Sequence, residues 1–243
     1  MKRLAFLFAL LVTVAVLSGA CGTQSGGTQQ VGKMQRESKS VDPQNAESVR
    51  AKLKMGAGVL NLTGGADRLM EGDFSYNVVE WKPKVSYDVS GGAGELALKQ
   101  GSGGKGVNLG GKARNEWDIR LNEEVPIDLV VQMGAGESDL DLDTLILKGL
   151  DLQMGAGKTT VDLTGDYTKG FDADIQGGVG EATVMLPSEV GVKAKPEGGL
   201  GKINAEGLER VGDSYVNDAY GESDITLNVA VQGGVGEINL EVV

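Results

Sequence analysis

Four acids, Glu137, Asp139, Asp141 and Asp143, stand at every second position of the chain. In an extended strand such residues share one face. A row of carboxylates of this kind offers oxygen ligands to a hard cation, or a carboxylate pair for glycoside hydrolysis. Sugar clefts also bring aromatic platforms, and this stretch has none. A solvated outer face is therefore the reading carried forward, with weak cation binding and glycosidase or lyase chemistry as alternatives. Gly155-Ala156-Gly157-Lys158-Thr159-Thr160 imitates the end of a phosphate loop, but Leu152 stands where the first glycine is needed and strand-like residues follow where a helix is required. Gly101-Ser102-Gly103-Gly104-Lys105-Gly106 fits GxGxxG in form and lacks the helix that should follow. The GGVGE segments at Gly177 and Gly233 approach a calcium nonapeptide, yet Ala182 and Ile238 replace its ligating aspartate. With no histidine and one cysteine, Cys21, the chain has no Ser/His/Asp triad, no helical zinc site and no internal disulfide. No catalytic residue, metal ligand or cofactor is expected.

Cys21 has its own context. Lys2 and Arg3 precede an apolar run from Leu4 to Leu17, and Ser18-Gly19-Ala20 lead into the cysteine. This reads as a signal peptide over 1–20. Leu17-Ser18-Gly19-Ala20-Cys21 resembles a bacterial lipobox, which implies that Cys21 is lipidated and that the membrane is a partner through this anchor, at the cell membrane or the outer membrane, on the extracytoplasmic side. Several acyl chains hold where one does not. Residues 21–47, rich in Gly, Ser, Thr and Gln, read as a lipidated cysteine and flexible tether. The net charge of -11 argues against nucleic acid.

The remaining chain must position whatever it presents, and it does so by repetition. Apolar residues alternate on both sides of a Gly-x-Gly step, as in Leu129, Val131 and Met133 before Gly136, then Leu140 and Leu142 after it. Period 2 indicates strands. The second glycines are Gly58, Gly94, Gly136, Gly157, Gly180, Gly201 and Gly236, and the spacings of 21 and 23 between Gly136, Gly157 and Gly180 suggest a stacked repeat. The expected fold is all-β, a β-solenoid of about 21-residue repeats with Gly-x-Gly turns. A degenerate coil should turn at Arg114-Asn115, with Asn115 at positive φ, to bring Trp117, Ile119 and Leu121 into phase. Stacking in sequence order would alternate Glu137, Lys158, Glu181, Lys202 and Glu237, and would align Gln132, Gln153, Gln176 and Gln232, with Glu197 interrupting. Met55, Met133 and Met154, three residues before the second glycine, read as core fillers.

MGAG at Met55 and Met133, GGVGE at Gly177 and Gly233, Trp117-Asp118-Ile119-Arg120-Leu121, and Val216 to Ser223 (VNDAYGES) together resemble the toast-rack family of bacterial cell-envelope proteins. That family is related to C-terminal domains of proteins that respond to cell-wall-active antibiotics. The resemblance runs from about Ala46 to Val243 and implies an envelope location and no agreed catalytic residue. It divides the chain into an N-terminal solenoid part over 48–125 and regular repeats over 126–243. The expectation is a non-enzymatic, lipid-anchored protein that offers its surface to an envelope protein or a cell-wall polymer, in adhesion or envelope-stress sensing. A polysaccharide-directed lyase or hydrolase is the alternative.

One stretch breaks the spacing. Between Gly201 and Gly236 the chain has surplus length near Glu206 to Glu222, which must leave the stack as a loop. It gathers Arg210, Tyr215, Asn217, Asp218 and Tyr220. These are recognition residues, or else Val211, Tyr215 and Tyr220 fold back to cap the last coil.

Overall fold

The computed structural model describes residues 31–102 and 112–243. The strands are β1 (Gln35–Val41), β2 (Ser48–Thr63), β3 (Met70–Tyr76), β4 (Lys84–Ser90), β5 (Ala93–Lys99), β6 (Asn115–Leu121), β7 (Ile127–Asp141), β8 (Leu147–Asp162), β9 (Asp172–Leu186), β10 (Gly191–Glu206), β11 (Glu209–Val211), β12 (Ser214–Val216) and β13 (Thr226–Val242). The fold is all-β, and these strands form one open sheet in the order β1-β3-β6-β2-β7-β8-β9-β13-β10-β12-β11, with β5 on β2 and β4 on β5.

The long strands are folded at their middles. In β7, Ile127, Leu129, Val131 and Met133 are buried before Gly136, and Ser138 and Leu140 after it, so the inward parity switches across the bend. Both rows enter one apolar core. β7 and β8 are parallel and in register from Asp128↔Gly149 to Asp141↔Asp162, although only residues 142–146 join them. A parallel pair ordinarily needs a crossover of about a dozen residues or more. The bend removes that need, because it brings the end of β7 back beside the place where β8 begins.

Gly136 has φ +134 and Gly157 φ +139, inside continuous strands. The expected turn is thus a bend in one strand and not a link between two. A Cβ on Gly157 would lie 1.8 Å from the carbonyl oxygen of Gly136. Both φ and space exclude a side chain there.

Four expectations require correction. Gly94 is not a bend glycine: β4 and β5 form an antiparallel hairpin closed by Gly91 and Gly92, at φ +57 and +81, and Gly94 pairs with Val49. Two consecutive positive-φ glycines suit a two-residue hairpin loop, and that local chemistry outweighs the repeat phase. Asn115 does not adopt positive φ; among the described non-glycine residues only Gln44 and Asn45 do. Its side chain instead donates to Ala57 O at 2.9 Å and Gln100 Oε1 at 3.1 Å, and accepts from Trp117 Nε1 at 3.1 Å. The degenerate coil is two pieces, β5 beside the first half of β2 and β6 beside its second half.

The third correction is the stacking order. β13 lies between β9 and β10, so Gly236 sits between Gly180 and Gly201. Gly136 and Gly157 are neighbours 21 residues apart, but Gly180 and Gly201, with the same separation, do not touch in the sheet. Glu181 consequently faces Glu237, and charge alternation fails there, while Lys158 reaches Glu181 at 3.4 Å. Glu197 stands at the end of the glutamine column instead of interrupting it. The physical preference is plain in the side chains. β13 buries Leu227, Val229, Val231, Ile238 and Leu240 and needs cover on both sides, whereas β10 carries Lys195 and Pro196 just past the two residues that β12 pairs, where one side lies open.

The tether expectation over 21–47 also changes in its last part. Gln35–Val41 pairs antiparallel with Met70–Tyr76 along its whole length. Backbone bonding orders this segment, whose polar residues fall on both parities and give no sequence signal.

Gly157→Val should lower stability by at least about 2 kcal/mol, from positive φ and the carbonyl contact together. Thr160→Val, on the outward row, should change it by less than about 0.5 kcal/mol. Denaturant titration of both variants checks this; equal midpoints would refute the placement of the bend.

Candidate functional site

The in-register bends align more than glycines. Lys54, Gln132, Gln153, Gln176, Gln232 and Glu197 form a row across β2, β7, β8, β9, β13 and β10. Gln132 Nε2 donates to Gln153 Oε1 at 3.3 Å, and Gln153 Nε2 to Asp151 Oδ1 at 3.2 Å. A groove of about 870 Å³ runs along this row, floored by Gly134, Gly155 and Gly178 and walled by Gln132, Gln153 and Gln176. At its β2 end stand Lys54, Gln100 and Trp81, the last packed with Tyr76 and Val78. Gln100 Oε1 accepts from Gly56 N at 2.7 Å and Ala57 N at 3.3 Å, so a side chain seals the bend where a neighbouring coil is missing. Amides repeated at the strand spacing of about 4.8 Å give donors and acceptors in a line. Such a line suits an extended polar chain.

A second, apolar cavity of about 150 Å³ lies inside the bend toward β10, among Leu152, Met154, Ile175, Ile203 and Ile238. Met55, Met133 and Met154 fill the corresponding core positions in β2, β7 and β8, and all three are buried. Gly177, Gly233 and Gly198 take their place in β9, β13 and β10, which leaves the space open.

The acidic row lies elsewhere. Glu137, Asp139 and Asp141 are exposed, Asp143 is half-buried, and neither cavity includes Asp139, Asp141 or Asp143. Burial, then the hydrogen bond and charge of Asp141, then the charge of Asp162, hold the Asp143 carboxyl above its ordinary pKa. Burial also pushes the Tyr167 phenol far above its usual range, with Asp162 and Asp143 adding to the effect. Among the described residues no group of three or more His, Cys, Asp or Glu is placed to hold a metal ion.

The surplus loop is a small hairpin on the sheet edge. β12 pairs antiparallel with β11, and through Lys193↔Val216 and Ala194↔Tyr215 with β10. Tyr215 is half-buried against the main core, and the Arg210 guanidinium lies 6.0 Å from its ring centroid. Asn217 is buried: its Oδ1 accepts from Val192 N at 2.8 Å, and its Nδ2 donates to Val190 O at 2.8 Å and Pro187 O at 3.0 Å. A carboxamide so committed cannot also meet a partner. Asp218 and Tyr220 face solvent, as does Arg210. The structure thus joins Arg210 to Tyr215, makes Asn217 a structural clasp and leaves Asp218 and Tyr220 free. Cys21 lies outside the described residues, as do Gly103 to Gly106.

A sequence model described as the N-terminal domain of toast_rack, DUF2154, matches residues 30–185. The chain belongs to the toast-rack family. That match crosses the 125/126 division and ends within β9. The crystal structure of a candidate cell adhesion protein from Clostridium sporogenes is 41% identical, with a TM-score of 0.83, over 87% of this chain and all of that one. Candidate adhesins from Bacteroides fragilis and Parabacteroides merdae are 13% and 10% identical, with TM-scores of 0.32 and 0.27, over 87% of this chain and 97% of theirs. No curated protein matches the chain.

Two outcomes follow from these contacts. Asn217→Ala should cost about 1–3 kcal/mol, because it leaves buried backbone groups unpaired, and Tyr215→Ala should lower the melting temperature by several degrees; Asp218→Ala and Tyr220→Ala should leave it nearly unchanged. Thermal melts of the four variants decide whether the hairpin is a clasp. The raised Asp143 pKa means that the folded state binds this proton more tightly than the unfolded state, so stability is lost as pH rises above the ordinary carboxylate value. Asp143→Asn should therefore melt above the parent at pH 7, and the gap should close below about pH 4. A gap that widens on acidification would contradict this.

Proposed function

We propose that this toast-rack protein is a lipid-anchored, non-enzymatic component of the cell envelope that acts in adhesion, with the glutamine-lined groove as its contact for an extended polar polymer. The groove is the observation that carries the reading. The amides of Gln132, Gln153 and Gln176 stand in register on neighbouring strands, and Trp81 stands at one end. In-register backbone bonding on both sides of β7, β8 and β9 holds that line rigid, so binding costs little ordering entropy. The adhesion assignment draws support from the description of the 41% identical relative. Stress sensing has no such support. The lipobox-like residues before Cys21 favour an anchor on the extracytoplasmic face of the cell membrane or the outer membrane. No described helix is long and apolar enough to cross a membrane.

The test uses isolated cell-wall polymer and a glycan array with the purified protein. Combined Gln132→Ala, Gln153→Ala and Gln176→Ala should weaken binding by about tenfold or more without lowering the melting temperature. Retention of binding in the triple variant would refute the groove, and product release dependent on Asp141 or Asp143 would refute the non-enzymatic reading. The anchor is tested separately: Cys21→Ser should move the protein out of the membrane fraction, and retention after a carbonate wash would refute lipidation.

A further inference from the structure

The two ends of the bend column are finished differently. At β2 the side chains of Gln100 and Asn115 occupy the exposed backbone groups. At the opposite end, β12 covers only Lys193 and Ala194 of β10. From Gly198 to Glu206, β10 bonds to β13 alone among the described residues. Among the described residues no side chain caps that outer edge; the side-chain hydrogen bonds of this segment are those of Asn204 to Glu237 and Asn239, both on β13.

The core is also open at this end. Ile203 is 37% exposed, while Ile238, its in-register neighbour on β13, is 4% exposed. Leu200 is 73% exposed. Both line the apolar cavity left by the glycine column, which therefore reaches the edge. An edge with open backbone groups and uncovered apolar side chains is a template for another strand.

The sequence of the edge specifies which strand. Lys202, Asn204 and Glu206 share the outward face, and Ile203 and Ala205 the inward one. Neither Lys202 nor Glu206 takes part in an ion pair among the described residues. We propose that Lys202–Glu206, at the end of β10, pairs antiparallel with the same residues of a second copy, about a two-fold axis at Asn204. Lys202 of each copy then faces Glu206 of the other, Ile203 faces Ala205, and the two Asn204 residues meet. Opposite charges directly across a strand pair are favourable, and like charges are not.

The register is unique within this segment. A one-residue slip would set the core row of one copy beside the outer row of the other. A two-fold axis at residue 203 or 205 keeps the faces matched but opposes Lys202 to Asn204 or Leu208, and so loses both charge pairs. A two-fold arrangement repeats each favourable pair twice. The surface also closes on itself: once two edges are joined, neither remains for a third copy.

Sedimentation equilibrium of the full chain in density-matched detergent, up to about 100 μM, the range of weak complexes, tests this. A dimer is expected. Lys202→Glu and Glu206→Lys, each placing like charges opposite one another twice, should each weaken it about tenfold or more, and the double variant Lys202→Glu/Glu206→Lys should restore it. Circular dichroism at a concentration where the chain is monomeric should show a cooperative, folded-state melt for all four proteins, because both side chains are exposed. A monomer throughout this range would overturn the proposal. So would a dimer that neither single variant weakens, or a double variant that remains monomeric. Polymer binding by the groove is read in a different assay on different residues, so either result can fail without the other.

Discussion

Every long strand of the sheet turns at a glycine whose neighbour in the next strand leaves no space for a Cβ. The carbonyl of Gly58 lies against Gly136, that of Gly136 against Gly157, and that of Gly157 against Gly180. This column fixes the rest. It sets all bends at one level, and the strands on either side are then held in register. It folds the sheet so that its two halves share one core, and it lets residues 142–146 connect parallel neighbours. The glutamine row is straight for the same reason. Side chains at one distance from a common bend must align.

Much of this was legible in the letters. Alternating apolar residues on both sides of Gly136, Gly157 and Gly180 disclosed strands and their inward faces, and buried Met133, Met154, Leu140 and Val161 lie on those faces. What the letters concealed was adjacency. Gly94 falls in phase with the bend glycines but lies beside the Gly91-Gly92 loop, and phase alone cannot separate a hairpin from a coil. Asn115 suits positive φ in type, yet its side chain was recruited to seal the bend of β2. The place of β13 could not be read from a repeat that assumes sequence order, although Lys195 and Pro196 of β10 were marks of an open strand side.

The surplus loop shows a similar division. Its departure from the stack followed from length, but the separate fates of Tyr215, Asn217 and Tyr220 depended on which strand it reached. Asn217 finds three backbone partners because β12 meets β10 at Ala194. Nothing local to VNDAY specifies that meeting. The groove was half visible, since the glutamines shared a position in each repeat, while Trp81 joins them only through the short helical turn Val79–Trp81 between β3 and β4.

The insertion of β13 between β9 and β10 also governs the order in which the molecule can assemble. A ribosome supplies β10 before β13, yet β10 has no long-strand neighbour in the sheet until β13 is seated. β7, β8 and β9 can zip up locally as they emerge. β10 and its hairpin must wait beside an unfinished edge, with Ile203 and Leu200 uncovered, for β13 to enter the gap. Closure is a late, nonlocal event in which one strand docks against two at once. β13 is accordingly a latch, and the packing of β10 is decided by a strand made after it.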